Sequence, residues 1–415
     1  MLQGRGYFPV RRPREWHQTE GFREEAVCLE ASRRSYRETA AHLNRYRRQW
    51  QEGTPVTTLQ ATAQREGTRV LDFLERHSQA ILQAHGVDAQ GQPSAAVVTQ
   101  VVAGSDPRLS AEALERGLAT TGQEMQARGF TPAQIAAVEA AAATAVHEEL
   151  TECTYLYIDD VEVKKQKAHR DGNRSAEAEP TPTEAPLPSG RQRPKVANTI
   201  ARLERGQKRF TLSGGGVQQV LHLVLAFLLN NALLSGRLQI FTDGYKGLQN
   251  AIATFFAWHP RVWLLLDWYH LVKKFKEDLS LACRGRALRN QHLRALVRLL
   301  WYGLVTEAQQ YLAAIPVDDL KDPAAIERLR KYLLRNQGAI PCYALRRHLG
   351  LRNASSPVES ANNELTARRQ KHNGMSWSEP GSHALAALNM LVSNRCHETW
   401  VRKHTIPFAF VDKAA

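Results

Sequence analysis

Asp159, Asp243 and Glu359 are the residues of this chain whose types and settings point most directly to chemistry. Asp159 ends the apolar run Tyr155-Leu156-Tyr157-Ile158, and Asp243 ends Leu238-Gln239-Ile240-Phe241-Thr242 and opens the turn Gly244-Tyr245-Lys246-Gly247. Glu359 lies in Ser355-Ser356-Pro357-Val358-Glu359-Ser360-Ala361-Asn362, at the start of a strongly basic helical stretch. An aspartate that closes a strand delivers its carboxylate to the carboxyl edge of the sheet, where the active sites of open sheets form. Two such aspartates and a helix-borne glutamate make a cage for hard cations. Unshielded carboxylates a few ångströms apart cannot all stay ionised, and a divalent cation removes that penalty. Mg²⁺ takes oxygen ligands, usually one or two carboxylates plus a substrate phosphate, and two such ions roughly 4 Å apart can drive in-line displacement at phosphorus. Each acid alone reads more simply, as a turn residue, a cap or a helix-dipole partner. Their combination is what points to phosphodiester chemistry.

The rest of the composition suits such a substrate. The 55 Lys and Arg against 41 Asp and Glu give a formal charge of +14 over 415 residues, with a pI near 9.7. That balance favours a polyanionic partner, nucleic acid ahead of a membrane surface, because neutralising phosphates releases counterions. Cys28, Cys153, Cys283, Cys342 and Cys396 form no C-x-x-C pair, which argues against a zinc module or a disulfide framework. No run reaches the ~18 apolar residues of a membrane span. The most apolar segment, Val220 to Leu234, is broken by His222, Asn230 and Asn231. No apolar core or cleavage site follows the N-terminal arginines, so no signal peptide is expected and the chain reads as intracellular.

Periodicity predicts the elements that must position the acids. Tyr155 to Val163 reads as a strand, and Lys164 to His169 continues it or starts its return. Asp171 to Pro194, with five prolines and few apolar residues, reads as a flexible excursion. Val196 to Ile200 and Arg209 to Leu212 predict two short strands. Gly214-Gly215-Gly216 lacks the Lys-Ser/Thr ending of a phosphate loop and reads as the turn before an apolar helix through Leu234. Strand Leu238 to Thr242, helix Lys246 to Phe256 and strand Val262 to Leu266 complete the order β-β-β-α-β-α-β. The predicted fold class is α/β: a mixed five-stranded sheet flanked by helices, in which an antiparallel meander leads into parallel crossovers. Its first part spans residues 151–270, an all-α insertion follows at 271–350, and 351–415 return to it with the Glu359 helix and a helix from His383 to Trp400.

Ahead of the sheet the chain reads as all-α. Residues 1–67 hold helices at Glu24 to Ser32 and Tyr36 to Arg48, a break at Gly53-Thr54-Pro55, and a polar helix from Val56 capped by Thr57 or Thr58. That arrangement fits a helix-turn-helix, with Thr57, Thr58, Gln60 and Arg65 facing DNA, and equally an ordinary helical bundle with a solvated face. Residues 68–150, Ala-rich and broken at Gly86 to Pro93 and Gly104 to Pro107, extend this N-terminal domain.

Three segments carry a likeness to a known family. The first is Tyr157-Ile158-Asp159-Asp160-Val161-Glu162-Val163-Lys164; the second is Thr242-Asp243-Gly244-Tyr245-Lys246-Gly247-Leu248-Gln249-Asn250-Ala251-Ile252, followed by Leu266-Asp267-Trp268-Tyr269-His270-Leu271. The third runs from Val358-Glu359-Ser360-Ala361-Asn362 through Arg368-Arg369 to Trp377-Ser378. In order and spacing, over about Thr154 to Trp400, they resemble the DDE transposases of bacterial insertion sequences, specifically the Mutator-like superfamily and its Kra and Lre relatives. Ser35-Tyr36-Arg37-Glu38-Thr39-Ala40-Ala41 is similar to the helix-turn-helix entry of some Kra-type members.

The resemblance implies an RNase H-like catalytic domain in which Asp159, Asp243 and Glu359 hold two Mg²⁺ ions, with Mn²⁺ able to substitute. It implies Mg-dependent cleavage and strand transfer at insertion-sequence ends. The partners would be double-stranded DNA, both terminal repeats and target, and a homodimer or higher oligomer assembled on it. No membrane is involved, and the implied location is the bacterial cytoplasm at the nucleoid. His270 would position a phosphate or the attacking hydroxyl, or else serve as a structural histidine bonded to Asp267. Arg368, Arg369, Lys371 and His372 would track the DNA backbone, a solvated helix face being the plain alternative. Trp263, Trp268 and Trp377 read as core residues before base-stacking ones. The chain departs from the family where Asp160 stands in place of the usual Gly, which makes Asp160 a rival to Asp159, and Glu364 rivals Glu359. The motif match favours Asp159 and Glu359. Two other readings stay open: a related nuclease that cuts without joining, and a transposase-derived DNA-binding protein without catalysis.

Overall fold

The computed structural model describes residues 20–30, 33–46, 54–104, 109–144, 153–166, 194–371 and 375–413. Most of the predicted Pro-rich excursion, the turn at Gly53 and His372 lie outside these residues. The chain divides into two compact units, one of residues 1–74, 162–196 and 364–407 and another of residues 75–161, 197–363 and 408–415.

A π-helical segment, Arg23–Glu30, precedes α1 (Tyr36–Tyr46) and α2 (Val56–Ala84). A reciprocal capping box starts α1: the Glu38 amide donates to Ser35 Oγ at 3.1 Å and the Ser35 amide donates to Glu38 Oε2 at 2.9 Å. The polar helix expected to begin at Val56 runs unbroken for 29 residues, so residue 67 falls in its interior. Leu59, Thr62, Ala63, Glu66 and Val70 form its buried stripe at helical spacing. Further along come α3 (Ala95–Ala103), α4 (Ala111–Ala127) and α5 (Pro132–Thr144).

The sheet contains β1 (Thr154–Lys164), β2 (Lys195–Arg205), β3 (Lys208–Gly214), β4 (Leu238–Thr242), β5 (Val262–Leu266) and β6 (Val411–Asp412), in the spatial order β5-β4-β1-β2-β3-β6. It is a mixed α/β sheet of six strands rather than five. The added strand β6 pairs antiparallel with β3 at the edge, and two residues offer no periodicity to read. β4 and β5 have the predicted bounds, and β4 pairs parallel with both β1 and β5. β2 and β3 form a longer hairpin than predicted, closed through Gly206 at φ +55°. Charged residues hid the extra length of β2: Arg202 and Glu204 are buried within it and paired at 3.3 Å. In β1 every residue from Thr154 to Ile158 is buried, and alternation begins only after Asp159. A central strand flanked by neighbours and covered on both faces has no solvent side to alternate with.

Between β3 and β4, α6 (Val217–Asn230) is apolar nearly all round, and its Phe227 stacks on Phe210 of β3 with centroids 4.6 Å apart. The glycine turn before it closes on its own helix, the Gly215 amide donating to Gln219 Oε1 at 2.8 Å. α7 (Lys246–Phe255) crosses from β4 to β5. Five helices follow: α8 (Trp268–Ala282), α9 (Arg286–Trp301), α10 (Val305–Ala313), α11 (Pro323–Asn336) and α12 (Tyr343–His348). They share one core that includes Leu271, Phe275, Leu279, Leu296, Leu300, Leu312, Leu329 and Leu333. Each such side chain contributes about 1.5–3 kcal/mol on burial. α13 (Ser356–Asn362) carries Glu359 and runs into a π-turn, Asn363–Ala367. The helix predicted from His383 to Trp400 is two helices, α14 (Glu379–Ser393) and α15 (His397–Lys403), broken where Arg395 turns to φ +54°. No helix among the described residues is long and apolar enough to cross a membrane.

Candidate active site

The register of the parallel strands brings the acids together. Tyr157 pairs with Phe241, so Asp159 and Asp243, each two residues further on, stand side by side where the pairing of β1 with β4 stops, Asp159 within β1 and Asp243 just past the end of β4. Thr242 pairs with Leu266, which continues the row to Asp267. Neighbouring strands are ~4.8 Å apart. Three carboxylates thus line the carboxyl edge of the sheet.

Each is held differently. Asp159 is half-buried; its Oδ1 accepts the Asp160 amide at 2.9 Å and its Oδ2 accepts Asn362 Nδ2 of α13 at 2.6 Å. Burial and the nearby charge of Asp243 push the Asp159 carboxyl above its ordinary value, against the pull of those two donors and of His270. Asp160 is exposed and turns away to accept the Thr199 hydroxyl of β2. The structure thereby separates the two neighbours that the strand pattern left equivalent.

Asp243 Oδ1 accepts the Tyr245 amide at 2.8 Å, an Asx-type turn that starts α7. Gly244 has φ +87°, and a Cβ there would lie 2.5 Å from Tyr332 Oη of α11. The same helix grips the turn from outside. Arg335 donates to the Gly244 carbonyl at 3.2 Å, and Gln249 donates to both Thr242 Oγ1 and Asn336 Oδ1, at 3.1 and 3.0 Å.

Asp267 is completely buried and caps α8. Its Oδ1 accepts the His270 amide at 2.7 Å and His270 Nδ1 at 3.1 Å, while Oδ2 accepts the Ser355 amide just before α13. Burial alone would raise this carboxyl, but the bonds from His270 and Ser355 outweigh it and hold the pKa below the ordinary range. His270 presents Nε2 to Glu359 Oε1 at 3.7 Å. Burial pulls the imidazole pKa down, but the bond to Asp267 and the charges of Asp267, Asp243 and Glu359 raise it above its ordinary value. His270 is thus bonded to Asp267 on one ring nitrogen and faces the glutamate with the other.

Glu359 and Asn362 are three apart on α13 and share a face. The first meets His270 and the second meets Asp159, so this short helix closes the row of acids. Glu364 is exposed on the π-turn five residues later. Sequence alone marks neither Asn362 nor Ser355 as functional, although both belong to the Glu359 motif. Their spacing from Glu359 and from the start of α13 was the available signal.

The basic residues after α13 divide. Arg368 and Lys371 are exposed, as are Thr57, Thr58, Gln60 and Arg65 on α2. Arg369 is buried, with its guanidinium 5.1 Å from the Tyr36 ring centroid and 5.2 Å from that of Trp377. It serves packing, and the expectation that it tracks a DNA backbone is corrected. Trp377 donates to the Gln370 carbonyl at 3.1 Å, and Trp268 packs against Trp301 and Tyr343. Trp263 lies between Arg237 and Arg346. All three tryptophans act as packing residues here.

The oxygens of Asp159, Asp243 and Glu359 do not all come within 4.8 Å of one another; among the described residues that compactness is met by Glu24, His397 and Glu398, in the unit that lacks the acid row. The donor set at the sheet edge nonetheless suits a hard cation. It is acceptor-only oxygen, and after burial the charge of Asp243 is what raises the Asp159 carboxyl, a repulsion that a divalent cation would relieve. Compared with models of known families, with curated proteins and with solved structures, the chain matches none.

Proposed function

We propose that the protein is a metal-dependent DNA strand transferase of the DDE transposase type, its sheet an RNase H-like catalytic domain. The observation that carries this reading is the shared register of Asp159 and Asp243 where the parallel strands β1 and β4 part, closed over by the helix bearing Glu359 and Asn362. Asp159, Asp243 and Glu359 would hold Mg²⁺, and their spacing suits ions completed by substrate oxygens rather than one ion enclosed by protein. When bound, Mg²⁺ lowers the pKa of an attacking water or 3′-hydroxyl and neutralises charge on the phosphate. Asn362 keeps Asp159 turned into the site. His270, fixed by Asp267, offers Nε2 to Glu359 and to a phosphate oxygen beside it. Water would first attack at the element end, and the freed 3′-hydroxyl would then attack target DNA. No enzyme-linked intermediate is required. The charge of +14 supports a nucleic-acid substrate.

The test is strand cleavage and joining of DNA carrying the element's ends, with Mg²⁺, by the wild-type chain and by Asp243→Asn. Asparagine retains an Oδ1 for the Tyr245 amide, so the turn survives while a metal ligand is weakened. The variant is expected to lose at least a hundredfold in cleavage while keeping its affinity for the ends. Equal activity of the two chains rejects the assignment. Tight end binding with no metal-dependent cleavage by either chain leaves a DNA-binding protein, and cleavage without joining leaves a nuclease.

A further inference from the structure

Among the Phe, Tyr and Trp side chains whose burial the structure describes, only Tyr245 and Tyr269 are exposed, at 65% and 55%. A packed aromatic residue buries roughly 150–250 Å², so an open ring forgoes much of the favourable burial that the others obtain. Both open rings stand two residues beyond an acid of the row: Tyr245 follows Asp243 through Gly244, and Tyr269 follows Asp267 through Trp268. The Tyr245 amide bonds Asp243 Oδ1 at 2.8 Å, which ties that residue to the same turn as the acid. The Tyr269 ring meets His270 edge to face, with centroids 5.5 Å apart, and His270 Nε2 is the atom 3.7 Å from Glu359. The Tyr245 ring is also seated rather than loose. A Cβ at Gly247 would lie 2.7 Å from Tyr245 Cε1, 3.1 Å from Cζ and 3.2 Å from Oη, so the ring lies over this glycine in the first turn of α7. Gly247 is a poor helix former and is not among the glycines of positive φ. What glycine supplies at this position is room for the ring.

We propose that Tyr245 and Tyr269 stack on nucleobases of the strand whose phosphate lies at the acid row. A side-chain ring reaches the face of a base only when that base has left its duplex neighbours, so the strand is held here locally unpaired. Every base has a π-face, so the contact tolerates any sequence and adds grip beside the reacting phosphate without reading it. The placement next to that phosphate rests on the transferase reading, whereas the capture of unpaired bases by the two rings does not.

The experiment measures binding of two short labelled strands of equal length by fluorescence anisotropy, without divalent cation. One strand is oligodeoxythymidylate and the other carries abasic deoxyribose phosphates, so the two share a charge and differ only in the bases. Tyr245→Ala and Tyr269→Ala are each expected to weaken binding of the thymidylate strand about five- to fiftyfold and to leave the abasic strand unchanged. Tyr245→Phe and Tyr269→Phe keep the ring and should bind as wild type. Gly247→Ala should weaken the thymidylate strand in the same direction as Tyr245→Ala, because the added Cβ displaces the ring. In the Tyr245→Ala background it should have no further effect. Wild-type binding of the thymidylate strand by both alanine variants overturns the proposal. So does an equal loss on the abasic strand, which would assign the tyrosines to the backbone, or a loss in the phenylalanine variants as large as in the alanine ones, which would assign it to the hydroxyls. If the alanine variants lose their grip on bases but no chain cleaves DNA with Mg²⁺, the stacking stands and the transferase reading fails. If cleavage depends on Asp243 but the alanine variants bind as wild type, the stacking alone fails.

Discussion

At the scale of single residues, Asp267 repays the closest reading. It is fully buried, yet its carboxylate meets donors only: the His270 amide, His270 Nδ1 and the Ser355 amide. Charge-assisted bonds of this kind offset the cost of burying an anion and are worth about 1.5–3 kcal/mol each. Asparagine cannot replace it, because its NH₂ would face one of those donors. Asp267→Asn should therefore destabilise the chain at neutral pH by about 1–3 kcal/mol. The sign of the pH dependence follows from the depressed carboxyl. Its contribution is complete above the ordinary aspartate value and is lost as pH falls through the lower folded-state value. In urea unfolding at a series of pH values, the gap between wild type and variant should close on the acid side. A gap that stays constant down to the acid limit of the folded state would mean that shape, not charge, accounts for the loss. Cleavage should fall as well, because His270 loses the partner that aims it at Glu359.

At the scale of elements, the site depends on turns and short helices that other elements hold in place. The β4–α7 turn shows this most clearly. Gly244 needs positive φ, and α11 leaves no room for a Cβ beside Tyr332. Gly244→Ala should cost about 1–3 kcal/mol and displace Asp243, reducing cleavage more than thermal stability alone explains. Tyr332 Oη is buried with no hydrogen-bond partner among the described residues, so Tyr332→Phe should be nearly neutral by itself. Added to Gly244→Ala it should restore the steric part of the loss and leave the backbone part. A double variant no better than Gly244→Ala would show that the contact with Tyr332 is irrelevant. These dependencies also mark where the sequence was legible. β4 and β5 are short apolar runs bounded by turn residues, so their ends could be read directly. The pairing of Tyr157 with Phe241 could not, because strand order is a tertiary fact that leaves no local period. Neither could the burial of Arg369: within a basic run it looks solvated, and only its packing against Tyr36 and Trp377 shows otherwise. Asp159 could not be told from Asp160 because the residues before them are buried on both faces, and the contacts of Asn362 and Thr199 were needed to separate them.

At the scale of the whole molecule, the transferase reading has a consequence for assembly. The described residues of each chain form one row of acids, and on this reading one such site attacks one phosphodiester at a time. Joining two element ends to a target in concert therefore needs at least two chains on the same DNA, and cyclic symmetry makes a dimer the simplest arrangement. Mixing wild-type and Asp243→Asn chains separates this from independent action. Asparagine preserves the Asx-type turn at Tyr245, so the variant should enter assemblies as readily as the wild type. As wild-type chain is diluted by variant at constant total protein, nicking at a single end should fall in proportion to the wild-type fraction. Products with both ends joined should fall as its square, to about a quarter at equal mixing if two sites act together. A linear fall of the two-ended product would mean that one chain performs both transfers in turn. The acid row would then have to release one end and engage the next, and the demand for a second active site would disappear.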